Sequence, residues 1–417
     1  MNNHYVSILA SNGGVMRKLT LIAAAGLLAA PMMSEAKPLN DLLLDKGALM
    51  QDSAGAFKGY YQDGTRLEFG DKFDLKMNLG VVTSYSYTDW DHNTARGLQD
   101  ANSFAVDRVR LELAGNFMNK EFSYMVQNDF AGDADFVNNS SNGSDVRDAW
   151  LQWNWCEGMG LRMGQFVLPF GRQALGNPFM SQMPFRTDVS ELFVPGRAAG
   201  LMAMGDLGDA AMWSLAVYNG ESTGEGLNSG GVDSELGFAG MVVANMGDYG
   251  SRAWEGDYGM TADWAFTMGL GATYDQGSVL VQAGDALASL DYDKVRVGAD
   301  VGARYQGFSL QSEIFWANTD PDGSDEKIKD LGFYVQSGYF FVPKEWEVAG
   351  RFGVYNPDED TSALDDMMEY GATVGYYLNG HSMKMLMSAL WRDQNPADSS
   401  AEDTTDFRAQ LTVSAYL

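Results

Sequence analysis

The chain has 417 residues and a formal net charge of -28, a balance that excludes binding to a nucleic-acid backbone, because phosphates must be met by a basic face. Aromatic residues reach 12% and glycines number 48. Mean hydropathy is nevertheless only -0.22, and beyond the N-terminus no apolar run approaches the roughly 20 residues of a membrane helix, which excludes a helical membrane protein.

The first segment reads as a targeting sequence. Met16 is a better start than Met1: Arg17 and Lys18 form a charged region, Leu19 to Met33 an apolar core, and Ser34-Glu35-Ala36 a small-x-small cleavage site. Residues 1–36 are therefore expected to be an N-terminal extension plus signal peptide, with the mature chain starting at Lys37. Residues 37–70 are expected to form a short periplasmic segment, with one or two helical turns between Leu39 and Phe57.

From residue 71 onward the period is two. Phe73, Leu75, Met77, Leu79, Val81, Tyr85 and Tyr87 share one face, and Asp74, Lys76, Asn78, Gly80, Ser84 and Ser86 the other. A run of about 15 alternating residues exceeds the usual strand of five or six and suits a tilted strand that crosses a bilayer. About sixteen such segments follow one another, including Val109–Leu113, Phe122–Val126, Val295–Val301, Phe308–Trp316, Leu331–Tyr339 and Met383–Trp391, with weaker ones near 146–155, 197–205, 211–219, 234–245 and 368–378. An even count suits a closed antiparallel barrel over residues 71–417 with both ends in the periplasm. Short links at Tyr305–Gly307, Val342–Glu345 and Leu378–His381 alternate with long ones, as periplasmic turns and outer loops would. The stretch from Met246 to Asp263 misfits, being long where a short turn is due. The last residues alternate Phe407, Ala409, Leu411, Val413, Ala415 and Leu417 outward, and end on leucine rather than an aromatic residue.

One stretch interrupts the pattern. From Pro169 the period is lost for about 25 residues and resumes at Arg197; loops this long are seldom passive. Gly171, Gly176, Pro178, Pro184 and Pro195 break it, while Phe179, Phe185, Leu192 and Phe193 give it apolar weight. It is expected to fold into the barrel and bring Arg172, Arg186 and Arg197 near the narrowest point; an external loop with its arginines in solvent is the alternative.

The segments GQFVLPFG at 164–171 and FVPGRAAG at 193–200 resemble the phosphate-selective porins O and P of Gram-negative outer membranes. DRVRLELAG at 107–115, FSYMVQNDF at 122–130, RDAWLQW at 147–153, AVYNG at 216–220, GFSLQSEIFW at 307–316, GFYVQSGYFF at 332–341 and WEVAGRFG at 346–353 extend the likeness in order and spacing. The resemblance implies a sixteen-stranded barrel, commonly a homotrimer, set among outer-membrane lipid and lipopolysaccharide and passing ions and small solutes. Its best-known members carry phosphate along lumenal arginines and lysines.

If the apolar face meets lipid, parity points Lys76, Arg108, Arg110, Arg162, Lys294, Arg296, Arg304, Arg351, Lys384 and Arg408 into the lumen, together with Asp74, Glu112, Asp129, Asp148, Asp300, Glu313 and Glu347. With Arg172, Arg186 and Arg197 the basic set forms the candidate anion-facing lining, unless these charges pair across strands and merely brace the wall. The acidic surplus falls in long links, among them Asp320, Asp322, Asp325 and Glu326, Asp358 to Asp366, and Asp393 to Asp403. A general diffusion channel with mild anion preference is the leading reading. A barrel that binds partners through its acidic loops is the alternative. A barrel hydrolase is poorly served by three histidines at 4, 92 and 381, and no metal-spaced cluster or cofactor motif is present, so no metal or cofactor is expected. The only cysteine, Cys156, falls in a predicted turn and reads as incidental.

Overall fold

In the computed structural model, which describes residues 50–51, 57–61, 64–70, 72–90, 100–131, 145–220, 236–283, 286–323, 327–358, 364–396 and 404–417, one antiparallel sheet closes on itself. Three short strands come first: β1 (Met50–Gln51), β2 (Phe57–Tyr61) and β3 (Thr65–Phe69). Sixteen strands then form the barrel: β4 (Phe73–Trp90), β5 (Ala101–Phe117), β6 (Phe122–Asp129), β7 (Asp145–Cys156), β8 (Met159–Val167), β9 (Arg197–Leu207), β10 (Ala211–Asn219), β11 (Leu236–Met246), β12 (Ala265–Ala283), β13 (Ala286–Tyr305), β14 (Phe308–Pro321), β15 (Ile328–Val342), β16 (Trp346–Asn356), β17 (Leu364–Tyr377), β18 (Met383–Pro396) and β19 (Thr404–Tyr416). Each pairs with the next, and β19 closes on β4 from Asp406↔Trp90 to Tyr416↔Gly80. Where neighbouring strands overlap, their backbone polar groups pair with one another without water, the condition for a sheet in a bilayer.

The alternation expected along the strands is present. On β14, Ile314 and Trp316 lie outward and exposed, whereas Ser309, Gln311, Glu313, Phe315 and Ala317 are buried inside. Outward Leu79, Leu215, Leu270 and Val301 are likewise exposed, as side chains meant for lipid would be in an isolated chain. Aromatic residues line the barrel end where β4 begins and β19 finishes: Trp264 stacks on Tyr305 at 4.8 Å, and Trp346 on Tyr376 at 4.6 Å.

Two features depart from the expected course. The N-terminal segment adds strands where none is anticipated: Phe57–Tyr61 pairs with Thr65–Phe69, which pairs with Phe73–Met77 of β4. The reason lies in the closure. β19 ends opposite Gly80, so the first turns of β4 would present unpaired N–H and C=O groups, and β3 covers that edge. The helical turns expected between Leu39 and Phe57 fall largely outside the described residues, where the proposed signal peptide also lies; the described part there is β1, paired with β2. Cys156 closes β7 rather than sitting in a turn.

The stretch between β8 and β9 turns into the barrel, as expected. It carries a single turn of 3-10 helix (Pro178–Met180) and a short helix, α1 (Asp188–Phe193), capped by the Thr187 hydroxyl. Glycines in the wall make room for it. A Cβ on Gly80 would fall 2.1 Å from the Phe179 ring, and one on Gly332 would fall 2.6 Å from Phe193 and 2.8 Å from Val189. Phe170, Val189 and Phe193 pack there with Phe315 and Tyr334 in a cluster inside the barrel. Gly332→Val is therefore expected to unseat α1 at a cost of about 1–3 kcal/mol while the barrel still closes. Limited proteolysis should cut the variant between 168 and 196 and spare the parent; identical digestion of both would contradict this seating.

Candidate functional site

The lumen is divided by two inward segments rather than one. The first, residues 168–196, descends along β12 to β19. The second is the misfitting link, residues 247–264 between β11 and β12, which rises from the opposite end and meets the first at Glu255. Irregular backbone in an enclosed space must have its polar groups satisfied, and the lumenal charges do this. The Glu313 carboxylate accepts from the backbone N–H of Arg172 and of Gln173 (3.0 Å). Glu369 accepts from Asp188 N at 2.6 Å and Thr187 Oγ1 at 3.1 Å. In return Arg351 Nη1 donates to Phe185 O at 2.8 Å, Lys384 Nζ to Ser181 O, and Arg304 to the carbonyls of Tyr249 (2.6 Å), Ser251 (3.2 Å) and Trp254 (2.5 Å).

Glu255 joins the two segments. Its carboxylate receives Gln173 Nε2 (3.0 Å), Gln182 N (2.9 Å), Gln311 Nε2 (2.9 Å) and Gln336 Nε2 (2.9 Å). Burial opposes its charge, but these amide donors outweigh it and hold the carboxyl below its ordinary value. On α1, burial and then the nearby Glu369 carboxylate push Asp188 up to about 6, against the pull of Arg392 and Arg351. His381 sits within an aromatic cage of Trp254, Tyr258 and Tyr377, 5.5–5.8 Å between ring centres, and burial drives its pKa well down.

Between these segments and the wall of β5 to β11 a cavity of ≈ 1040 Å³ remains, lined by Arg110, Arg162, Arg172 and Arg197 from the candidate set. Most are already paired. Arg110 meets Asp129 at 3.0 Å, Arg197 meets Asp148 at 3.0 Å, and Arg172 lies 3.8 Å from Asp300 and donates to Tyr249. Arg162 differs: Nε and Nη2 donate to the neutral Gln152 Oε1 at 3.1 and 2.8 Å, and the guanidinium lies 3.8 Å above the Trp150 ring.

The other candidates lie away from this cavity. Arg296 is buried against Asp275, and Arg304, Arg351 and Lys384 are buried beneath the inward segments. Arg408 lies under the Phe185 ring at 5.3 Å, Arg186 pairs with Glu191 at 3.0 Å, and Arg108 lies 3.7 Å from Asp129. Lys76, on β4 opposite Arg66 and Ala114, is half-buried. Of the acidic links, Asp320 pairs with Lys327 and Asp358 accepts from Lys329 N at 2.9 Å; Asp325, Glu326, Glu359, Asp360, Asp398, Glu402 and Asp403 lie outside the described residues.

Sequence reasoning missed the second inward segment's Arg252, which lines the cavity and meets Asp300 at 2.8 Å. It also missed Trp150 and the lumenal methionines. Tyr249, Trp254 and Tyr258 in a supposed turn were the available signal, since a solvated turn has no use for such bulk.

Cys156 is exposed and lines the cavity. A charged methanethiosulfonate reagent should therefore cut the single-channel current of the native protein and leave Cys156→Ser untouched; an unaltered native current would contradict the course assigned to the cavity.

The phosphate-selective porin O and P family model matches residues 76–414. No curated relative matches. Among solved structures, the chain is similar to the outer-membrane channel DcaP of Acinetobacter baumannii (14% identity, TM-score 0.58, covering 89% of this chain and 100% of that one). It is similar also to an anion-selective porin from Comamonas acidovorans (12%, 0.54, 82% and 100%) and to the trimer form of OmpT from Vibrio cholerae (10%, 0.53, 83% and 100%).

Proposed function

The chain belongs to the phosphate-selective porin O and P family, and on that footing we propose that it is a diffusion pore with a mild preference for anions, assembled as a homotrimer. It is an outer-membrane channel of a Gram-negative bacterium through which small solutes pass passively. The preference for anions rests on one observation. Of the arginines that line the cavity, Arg162 has a neutral hydrogen-bond partner where the others face carboxylates; with only the Asp148 carboxylate acting on it through space, its charge is the least neutralised of the set and the most available to a permeant ion. The carboxylates of Glu112, Glu157 and Asp206 line the same cavity, which keeps the preference slight.

Strong capture of inorganic phosphate is not part of this reading, because several lumenal cations that would serve it hold loop carbonyls instead. The trimer form of the OmpT structure supports the assembly, which light scattering in detergent tests directly.

In a planar bilayer under a salt gradient, the parent channel should give a small reversal potential of the anion-favouring sign. Arg162→Gln should move it toward zero or beyond. A variant with an unchanged reversal potential would remove the basis for the anion preference.

A further inference from the structure

We infer that the cavity wall beside Arg162 is a binding site for organic anions with a flat apolar body, aromatic carboxylates in particular. This deepens the diffusion-pore reading above and rests on it.

Arg162 is the lining guanidinium whose hydrogen bonds go to an amide, with Asp148 acting on it only through space. Arg162 is fixed from below: Trp150 packs under its face at 3.8 Å, and Gln152 Oε1 takes two of its N–H groups. The donors on Nη1 remain for an anion, in a plane set by the indole. The surface around it is mixed: Glu112, Glu157 and Asp206 line the same cavity, and much of the rest is apolar. Met125 on β6, Met204 on β9 and Met212 on β10 line the same cavity, and Leu175 faces them from the inward segment. Met212 is 45% exposed and Leu175 37% exposed, so apolar area inside the lumen is left uncovered by any protein group.

A small, strongly hydrated ion gains little here. Inorganic phosphate would give up water to a thioether wall and meet a single guanidinium with two of its donors already used, where tight phosphate sites converge several charge-assisted donors. An aromatic carboxylate uses both halves of the surface. Its carboxylate meets the Nη1 donors, and its ring covers the methionines, whose polarizable sulfur favours aromatic contact, while the arginine and indole offer a stacking edge. Flexible methionines also fit rings of differing size, so the chemistry selects a class rather than one compound.

The test is block of potassium chloride current through single channels of the full protein by 1-naphthoate, benzoate, acetate and inorganic phosphate at equal charge. The two aromatic anions should interrupt the current at concentrations about tenfold below acetate and phosphate, the scale of one added aromatic contact. Trp150→Ala should erase the difference between naphthoate and acetate, each read as a fraction of that variant's own open current. Trp150→Phe should restore part of it, and Arg162→Gln should weaken block by all four. Equal block by all four anions, or stronger block by phosphate than by naphthoate, in a channel of normal conductance would overturn the site and leave the pore reading standing. A protein that conducts no current would overturn both.

Discussion

Irregular backbone packed against the inner wall of a barrel is cut off from water on that side, so the N–H and C=O groups there must be met by the wall or by the segment itself. This requirement explains why the lumen carries both signs of charge. Glu313 and Glu369 receive backbone N–H groups of residues 172, 173 and 188, and Arg304, Arg351 and Lys384 donate to carbonyls. Glu255 extends the same logic from one inward segment to the other. Charges that hold backbone in this way are lost to the permeating ion.

The result is an asymmetric interior. The wall from β12 to β19, with β4 beyond the closure, holds the inward segments, and its glycines accept their aromatic knobs. The wall from β5 to β11 faces open space. Selectivity then belongs to few residues: Arg110, Arg197 and Arg252 are neutralised by Asp129, Asp148 and Asp300, and Arg162 stands out because its partner is an amide. Methionines share this wall with the carboxylates of Glu112, Glu157 and Asp206, so apolar area and charge alternate along the passage.

Much of the barrel was legible in the sequence, because a period of two written over long strands has few other solutions. Strand number, the outward set and the inward stretch around Phe179 and Phe193 all follow from that period and its interruption. Parity gave the direction of Arg296, Arg304 and Arg351 but not what they touch, since alternation says which side of a sheet a residue faces and nothing of what lies on that side. The hairpin at β2 and β3 was hidden because its role, covering an edge of β4, exists only once β19 stops short. Residues 247–264 were visible as a misfit, yet their place inside the lumen depends on Glu255 meeting glutamines far apart in the chain, which no local pattern records.

One face of the stretch 168–196 is sealed against the wall while the other meets the water-filled passage. In a Cys156→Ser background, Leu175→Cys and Val189→Cys place a single thiol on each face, at positions 37% and 0% exposed in the parent. A membrane-impermeant thiol reagent applied to the reconstituted channel should modify the cysteine at 175 rapidly and leave that at 189 protected. Equally rapid modification at both positions would contradict the account.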